Sequence, residues 1–221
     1  MKLLQIIVCM VCLGGCSTTY EPHLVLPATE LTRSIDANVE VHPFVASDEL
    51  VSGHSPYGVR AEDYNNKTPA ELTQALTKEV IAELSAHRVF RKVNTYDRAP
   101  DLILTGRIER FFEQNRRKGW TLIPGVTDKA ASLFGANPYT ANGEVQVTMT
   151  LRKPTGEVVG SYAGNSKFKE DYTPNSEWQP GDRLNRGLAQ AIAQIREEML
   201  ADPNLPKTQV LSPVSDRSSS R

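Results

Sequence analysis

The sequence predicts an α+β fold: a four-stranded mixed sheet in the order β-α-β-β-β-α, with two helices packed on one face. Three observations predict it. Apolar and polar residues alternate in four separate stretches, the period of a strand with one buried face. Two other stretches carry apolar residues at helical spacing. Between the last two alternating stretches, Lys153-Pro154-Thr155-Gly156 has the chemistry of a tight turn, so those strands form an antiparallel hairpin.

The chain opens with one positive charge, Lys2, an apolar run over 3–13 and the exit Leu13-Gly14-Gly15-Cys16. A charged start, a hydrophobic core of about 7 to 15 residues and a small-residue exit make a secretory signal. The run is too short for a spanning helix, which needs about 20 apolar residues. Leu-Gly-Gly-Cys directly after the core resembles the lipobox of bacterial lipoproteins. That resemblance implies cleavage before Cys16, a thioether-linked diacylglycerol on its sulfur and a third acyl chain, such as palmitate, on its new amino group. Residues 1–15 are then the signal peptide, and 16–33, rich in Ser and Thr and broken by Pro22 and Pro27, the lipidated tether. Ser17 follows the anchor where lipoproteins of the enteric type retained in the inner membrane carry Asp. The resemblance therefore implies the outer membrane, on its periplasmic face.

Ile35, Ala37, Val39 and Val41 alternate with Asp36, Asn38, Glu40 and His42 as the first strand, which stops at Pro43. A polar, Gly- and Pro-containing loop follows. Thr68-Pro69-Ala70-Glu71 then supplies a helix cap, a Pro at the first helical position and the Glu of a capping box. Leu72, Leu76, Val80, Ile81 and Leu84 give the first helix its buried stripe to about Ala86, and Phe90 and Val93 sit buried in a short connection. The second strand covers 101–113, with Leu102, Leu104, Gly106 and Ile108 on one face and Ile103, Thr105, Arg107 and Glu109 on the other. A strand, a helix and a strand imply a right-handed crossover and a parallel pair. Val145, Val147, Met149 and Leu151 mark the third strand, and 157–168 the fourth. Leu184, Leu188, Ala191, Ile192, Ile195 and Met199 form the stripe of the second helix, with Asp182 as its cap. One domain over 34–201 results, and 202–221 reads as a disordered tail.

This order, with an anchor cysteine, a strand reading "DLILTGRIERF" and a hairpin around "TGEVV", resembles the YajG-type lipoproteins. It is also similar to the wider group of auxiliary lipoproteins of ABC-type lipid transporters, penicillin-binding-protein activators and the small domain of the curli secretion lipoprotein. The resemblance covers about 35–200 and implies adaptors and assembly factors, not enzymes with a shared catalytic site.

Composition narrows the function classes. Of 25 Lys and Arg, Lys2 leaves with the signal, so 24 face 26 Asp and Glu, a net charge of −2. A general nucleic-acid binder needs a basic excess. Cys9 and Cys12 also leave, and with Cys16 acylated the domain folds without disulfides. Beyond the signal, with which Cys9-Met10-Val11-Cys12 leaves, there is no G-x-S-x-G, H-E-x-x-H, C-x-x-C or Gly-rich phosphate loop, and His23, His42, His54 and His87 lack ligand spacing, so neither a cofactor nor a metal is expected. A hydrolase remains open as an alternative, because Asp101, Glu109, Glu144 and Glu170 can meet in space without a local motif.

Two stretches carry the candidate contacts. Arg110, Arg116, Arg117 and Lys118, interleaved with Phe111, Phe112 and Trp120, could meet an anionic headgroup, glycan or acidic partner, or form a solvated strand end. The connection 119–142 is long and apolar, with Trp120, Leu122, Ile123, Leu133, Phe134 and Tyr139 and a short helix expected over 128–134. It is either a lid on the sheet or an exposed surface for an envelope protein or lipid. The expectation is a non-catalytic binding or assembly module of the cell envelope, with an auxiliary of lipid transport as the alternative.

Overall fold

The structure, a computed structural model, describes residues 22–24, 33–47, 69–119, 136–173 and 181–209. The signal, Cys16, His54, the Thr68 cap and the expected helix over 128–134 lie outside these residues. In chain order the elements are β1 (Arg33–Val41), β2 (Val45–Ala46), α1 (Pro69–Ala86), β3 (Phe90–Asn94), β4 (Leu102–Arg117), β5 (Tyr139–Arg152), β6 (Val158–Tyr172), α2 (Asp182–Ala201) and β7 (Lys207–Gln209). Among the described residues the fold is α+β with a mixed sheet and two helices, and the sheet has seven strands rather than four.

The three additional strands are short. β3 is the expected connection after α1; it lies parallel to β1, Ile35 opposite Phe90 and Val39 opposite Val93. Its polar centre, Arg91 and Lys92, breaks the alternation that would mark a strand. β2 resumes beside β4 after Pro43 has ended β1. β7, inside the stretch expected to be a disordered tail, pairs antiparallel with the start of β1. The order is β3-β1-β4-β5-β6, with β1–β3 and β1–β4 parallel and β4–β5–β6 an antiparallel meander.

Both helices lie on one face. Register places Ile35, Val39, Leu104, Ile108, Val147 and Met149 on that face, and all are fully buried. Leu72, Leu76, Val80 and Leu84 of α1 and Leu184, Leu188, Ile192 and Ile195 of α2 close over them as one core. Each such side chain contributes roughly 1.5–3 kcal/mol by leaving water. Gly164 lets α2 come close, since a Cβ there would meet the carbonyl of Ala191. The opposite face shows water a row of Thr105, Arg107, Thr148, Thr150, Asn165 and Lys167, half-buried or exposed.

One helix end differs from expectation, and another closes without glycine. Asp182 is the first helical residue and not the cap; Gly181 occupies that position at φ 93° without a side-chain hydrogen bond. α1 closes on Arg88 at φ 51°, with the Val89 N–H donating 3.0 Å to the Leu84 carbonyl. That is the closure normally given to Gly, with buried Val89 as the apolar residue after it.

Candidate functional site

Of the candidate contacts, Arg116, Arg117, Lys118 and Tyr139 gather at the far end of β4, β5 and β6, where the chain leaves the sheet after Lys118 and re-enters at Tyr139. A β-bulge shapes this end. Ile108 pairs with Val147 and Arg110 with Gln146, so Glu109 is an extra residue and the inward phase changes. Before the bulge even-numbered residues point into the core; after it Phe111 and Glu113 do.

Glu113 is thereby fully buried under the start of α2. Arg183, 5 % exposed, donates Nη1 to Glu113 Oε1 at 3.1 Å and Nε to Glu170 Oε2 at 2.9 Å. Arg186 reaches both Glu170 oxygens at 2.7 and 2.9 Å. Arg183 also lies 4.7 Å above the Tyr172 ring, which stacks on Tyr139 at 5.5 Å. Burial pushes the Glu113 carboxyl up, against the pull of Arg183. Burial also pulls Glu170 upward, yet hydrogen bonds from Arg183 and Arg186 outweigh it and hold that carboxyl down. Two cations at a helix N-terminus oppose the helix dipole, and the two carboxylates offset that cost. Chemically the cluster is a strut that fastens α2 to β4 and β6.

The four basic residues come to this region with partners. Arg110 Nη1 donates to Glu144 Oε2 at 3.1 Å, and Lys167 stands 3.3 Å from the other oxygen of the same carboxylate. Arg116 Nε donates to Gln114 at 3.1 Å. Lys118 bonds Asp171 at 2.7 Å, and Thr140 donates to the same group at 2.6 Å; Lys118 first and Thr140 next hold the Asp171 carboxyl down. Arg117 is exposed at the end of β4, opposite Tyr139. Arg110 and Lys118 are therefore each engaged by a carboxylate within the fold while still partly exposed.

Of the apolar contact residues, Tyr139 is the first residue of β5 and Asn142 lies well inside it. The connection expected over 119–142 is correspondingly shorter. Trp120, Leu122, Ile123, Leu133 and Phe134 lie outside the described residues. The end from which their segment springs is the one that the strut and the Tyr139–Tyr172 stack make rigid.

The four carboxylates considered for hydrolysis stand apart. Asp101 precedes β4 and holds Arg91 at 3.0 Å. Glu109, at the bulge, faces Arg107 at 3.3 Å on the open face. Glu144 takes Arg110 and Lys167, and Glu170 lies on the helix-covered face with Arg183 and Arg186. An open groove of about 630 Å³ runs between β1 and α1, lined largely by apolar groups including Val41, Pro43, Ala75 and Ile81, and Glu71 is the one carboxylate among its described lining.

A second buried charge cluster escapes sequence reading. Glu83 of α1 bonds Arg196 of α2 at 2.7 Å and the His87 imidazole at 3.0 Å, with all three side chains nearly inaccessible. Burial raises the Glu83 carboxyl against the pull of His87 and Arg196. His87 thus faces Glu83 within the helix layer as well as standing at the end of α1. Its spacing of four from Glu83 was the signal available. His42 pairs with Glu40 at 3.1 Å, and among the described residues no group of three or more His, Cys, Asp or Glu could hold a metal.

No family model and no curated protein matches the sequence. Solved structures are similar in outline. A Xanthomonas campestris protein of the DUF330 family is 14% identical, with 83% of this chain and 92% of that one covered at a TM-score of 0.45. A putative lipoprotein from Caulobacter crescentus is 14% identical over 72% of this chain and 87% of its own, at 0.37. A minor lipoprotein from Acinetobacter baumannii is 12% identical over 77% and 97%, at 0.38. From likeness at this level we take nothing about function.

Proposed function

We propose that this chain is a non-catalytic binding module of the bacterial cell envelope, anchored through acylated Cys16 to the periplasmic face of the outer membrane. The segment after Lys118 makes its contact with a protein partner. One observation carries the reading: the four carboxylates considered for hydrolysis, Asp101, Glu109, Glu144 and Glu170, are each engaged by their own cations, at separate places in the fold. Hydrolysis by paired carboxylates needs two such groups facing one substrate across a cleft. The strut at the root of the segment adds support, because a contact held on a rigid base loses less entropy on binding.

A second reading, an auxiliary of lipid transport, is favoured by the apolar groove beside α1, whose volume of about 630 Å³ lies in the range of small-molecule sites. Photocrosslinking in living cells separates the two. A benzoylphenylalanine at Phe134 is expected to capture a discrete envelope protein, whereas one at Ala163 on the open sheet face is not. Capture of lipid alone from Phe134 would favour the second reading, and no capture from either position would overturn the contact assignment.

A further inference from the structure

Three residues of the expected tether are not loose. Pro22 is buried, and Leu24 packs against the hydrophobic core. The His23 N–H donates 3.0 Å to Asn185 Oδ1 on α2, and the Leu24 N–H donates 3.2 Å to Glu79 Oε2 on α1. The His23 imidazole stands 3.7 Å from the same Glu79 carboxylate. Successive backbone amides thus bridge the two helices of the layer that covers the sheet.

The position of this bridge along the chain gives it consequence. An extended chain spans at most about 3.6 Å per residue. Measured to β1, the leash from Cys16 would be 17 residues and could reach about 60 Å, enough for the domain to turn freely. Measured to Pro22 it is six residues, about 22 Å at full stretch. Resting on the acylation of Cys16 in the function proposed above, we propose that Pro22-His23-Leu24 is a clamp that turns the helix layer toward the bilayer. The interaction surface facing lipid is then the exposed side of α1 and α2, and the polar face with Thr148, Thr150 and Ala163 is turned away.

The charge on the helix side fits a surface held near lipid headgroups by its leash rather than by adhesion. Glu71, Glu79, Asp182, Glu197 and Glu198 outnumber Lys78 and Arg186 there, so an anionic bilayer does not attract it. Contact depends on the clamp, and loosening the clamp releases the domain.

The test uses the full lipidated protein, purified from membranes and reconstituted in vesicles of phosphatidylethanolamine and phosphatidylglycerol. With Cys16 acylated, a single introduced cysteine labels cleanly. Fluorophores at Ala82→Cys, three residues beyond Glu79 on α1, and at Ala163→Cys on the open face report energy transfer to acceptor-labelled headgroups. Transfer from position 82 is expected to exceed that from position 163, and Glu79→Ala with Asn185→Ala is expected to abolish the difference while the protein still floats with the vesicles. Equal transfer from both positions in a floating protein with its clamp intact, or a difference that survives the double substitution, would overturn the proposal and leave the anchor standing. Failure to float would remove the anchor, and the proposal with it.

Discussion

Arg88 sits in the left-handed region where an L-residue costs about 1–2 kcal/mol and Gly nothing. Its exposed side chain offsets little of that, so Arg88→Gly is expected to raise stability by about 1 kcal/mol in denaturant melts. Glu113 behaves oppositely to most carboxylates. Its folded pKa lies above its unfolded one, so the native state holds the proton longer. Stability from this group is therefore fullest below the unfolded value and declines as pH rises toward the folded one. Relative to the parent, Glu113→Gln should gain as pH rises from the ordinary carboxylate range toward the raised folded value, measured as a difference in unfolding free energy. A pH-independent difference would mean that Glu113 stays ionised throughout. Arg183→Met leaves that carboxylate buried beside Tyr172 without its cation and is expected to cost about 3–5 kcal/mol. The Glu113–Arg183 pair is not legible in the sequence, because the bulge at Glu109 carries neither Gly nor Pro to announce the change of phase. Alternation continued from Leu102 would put Phe112 inside and Glu113 in water.

α1 is legible almost to the residue because three signals coincide: Pro at its first position, an acid in its first turn and a stripe at helical spacing. Leu76, 1 % exposed on that stripe, is expected to cost about 2–5 kcal/mol as Ala. The hairpin is legible for a similar reason, Gly156 at φ 91° being what its turn requires. β2, β3 and β7 are not legible, since strands of two to five residues have too little length to show a period. They become strands because a neighbour with unpaired backbone groups is present, and that is a tertiary circumstance. α2 depends on Gly164, which lies against its backbone. A methyl there should force the helix outward, and Gly164→Ala is expected to destabilise by about 1–3 kcal/mol in thermal melts.

For the molecule as a whole, attachment and contact can be tested separately. On the proposed acylation, Cys16→Ser removes chains of which each methylene contributes about 0.8 kcal/mol of membrane binding, and should yield a soluble or unprocessed protein on fractionation. Leu133→Asp with Phe134→Asp is expected to leave stability nearly unchanged while abolishing the crosslinks from a benzoylphenylalanine at Trp120, as for apolar residues exposed to a partner. A drop of several kcal/mol would instead mean that two unpaired charges had been buried. The topology has a further consequence, in the order of events along the chain. β1, the first strand to be synthesised, pairs with β3, β4 and β7, and the last of these partners ends at Gln209. A chain that emerges N-terminus first therefore exposes β1, a strand with three partners, early and completes it late. Until then β1 offers an open edge to any passing extended segment, so a factor that shields nascent strands would protect this protein most between the appearance of residue 41 and that of residue 209.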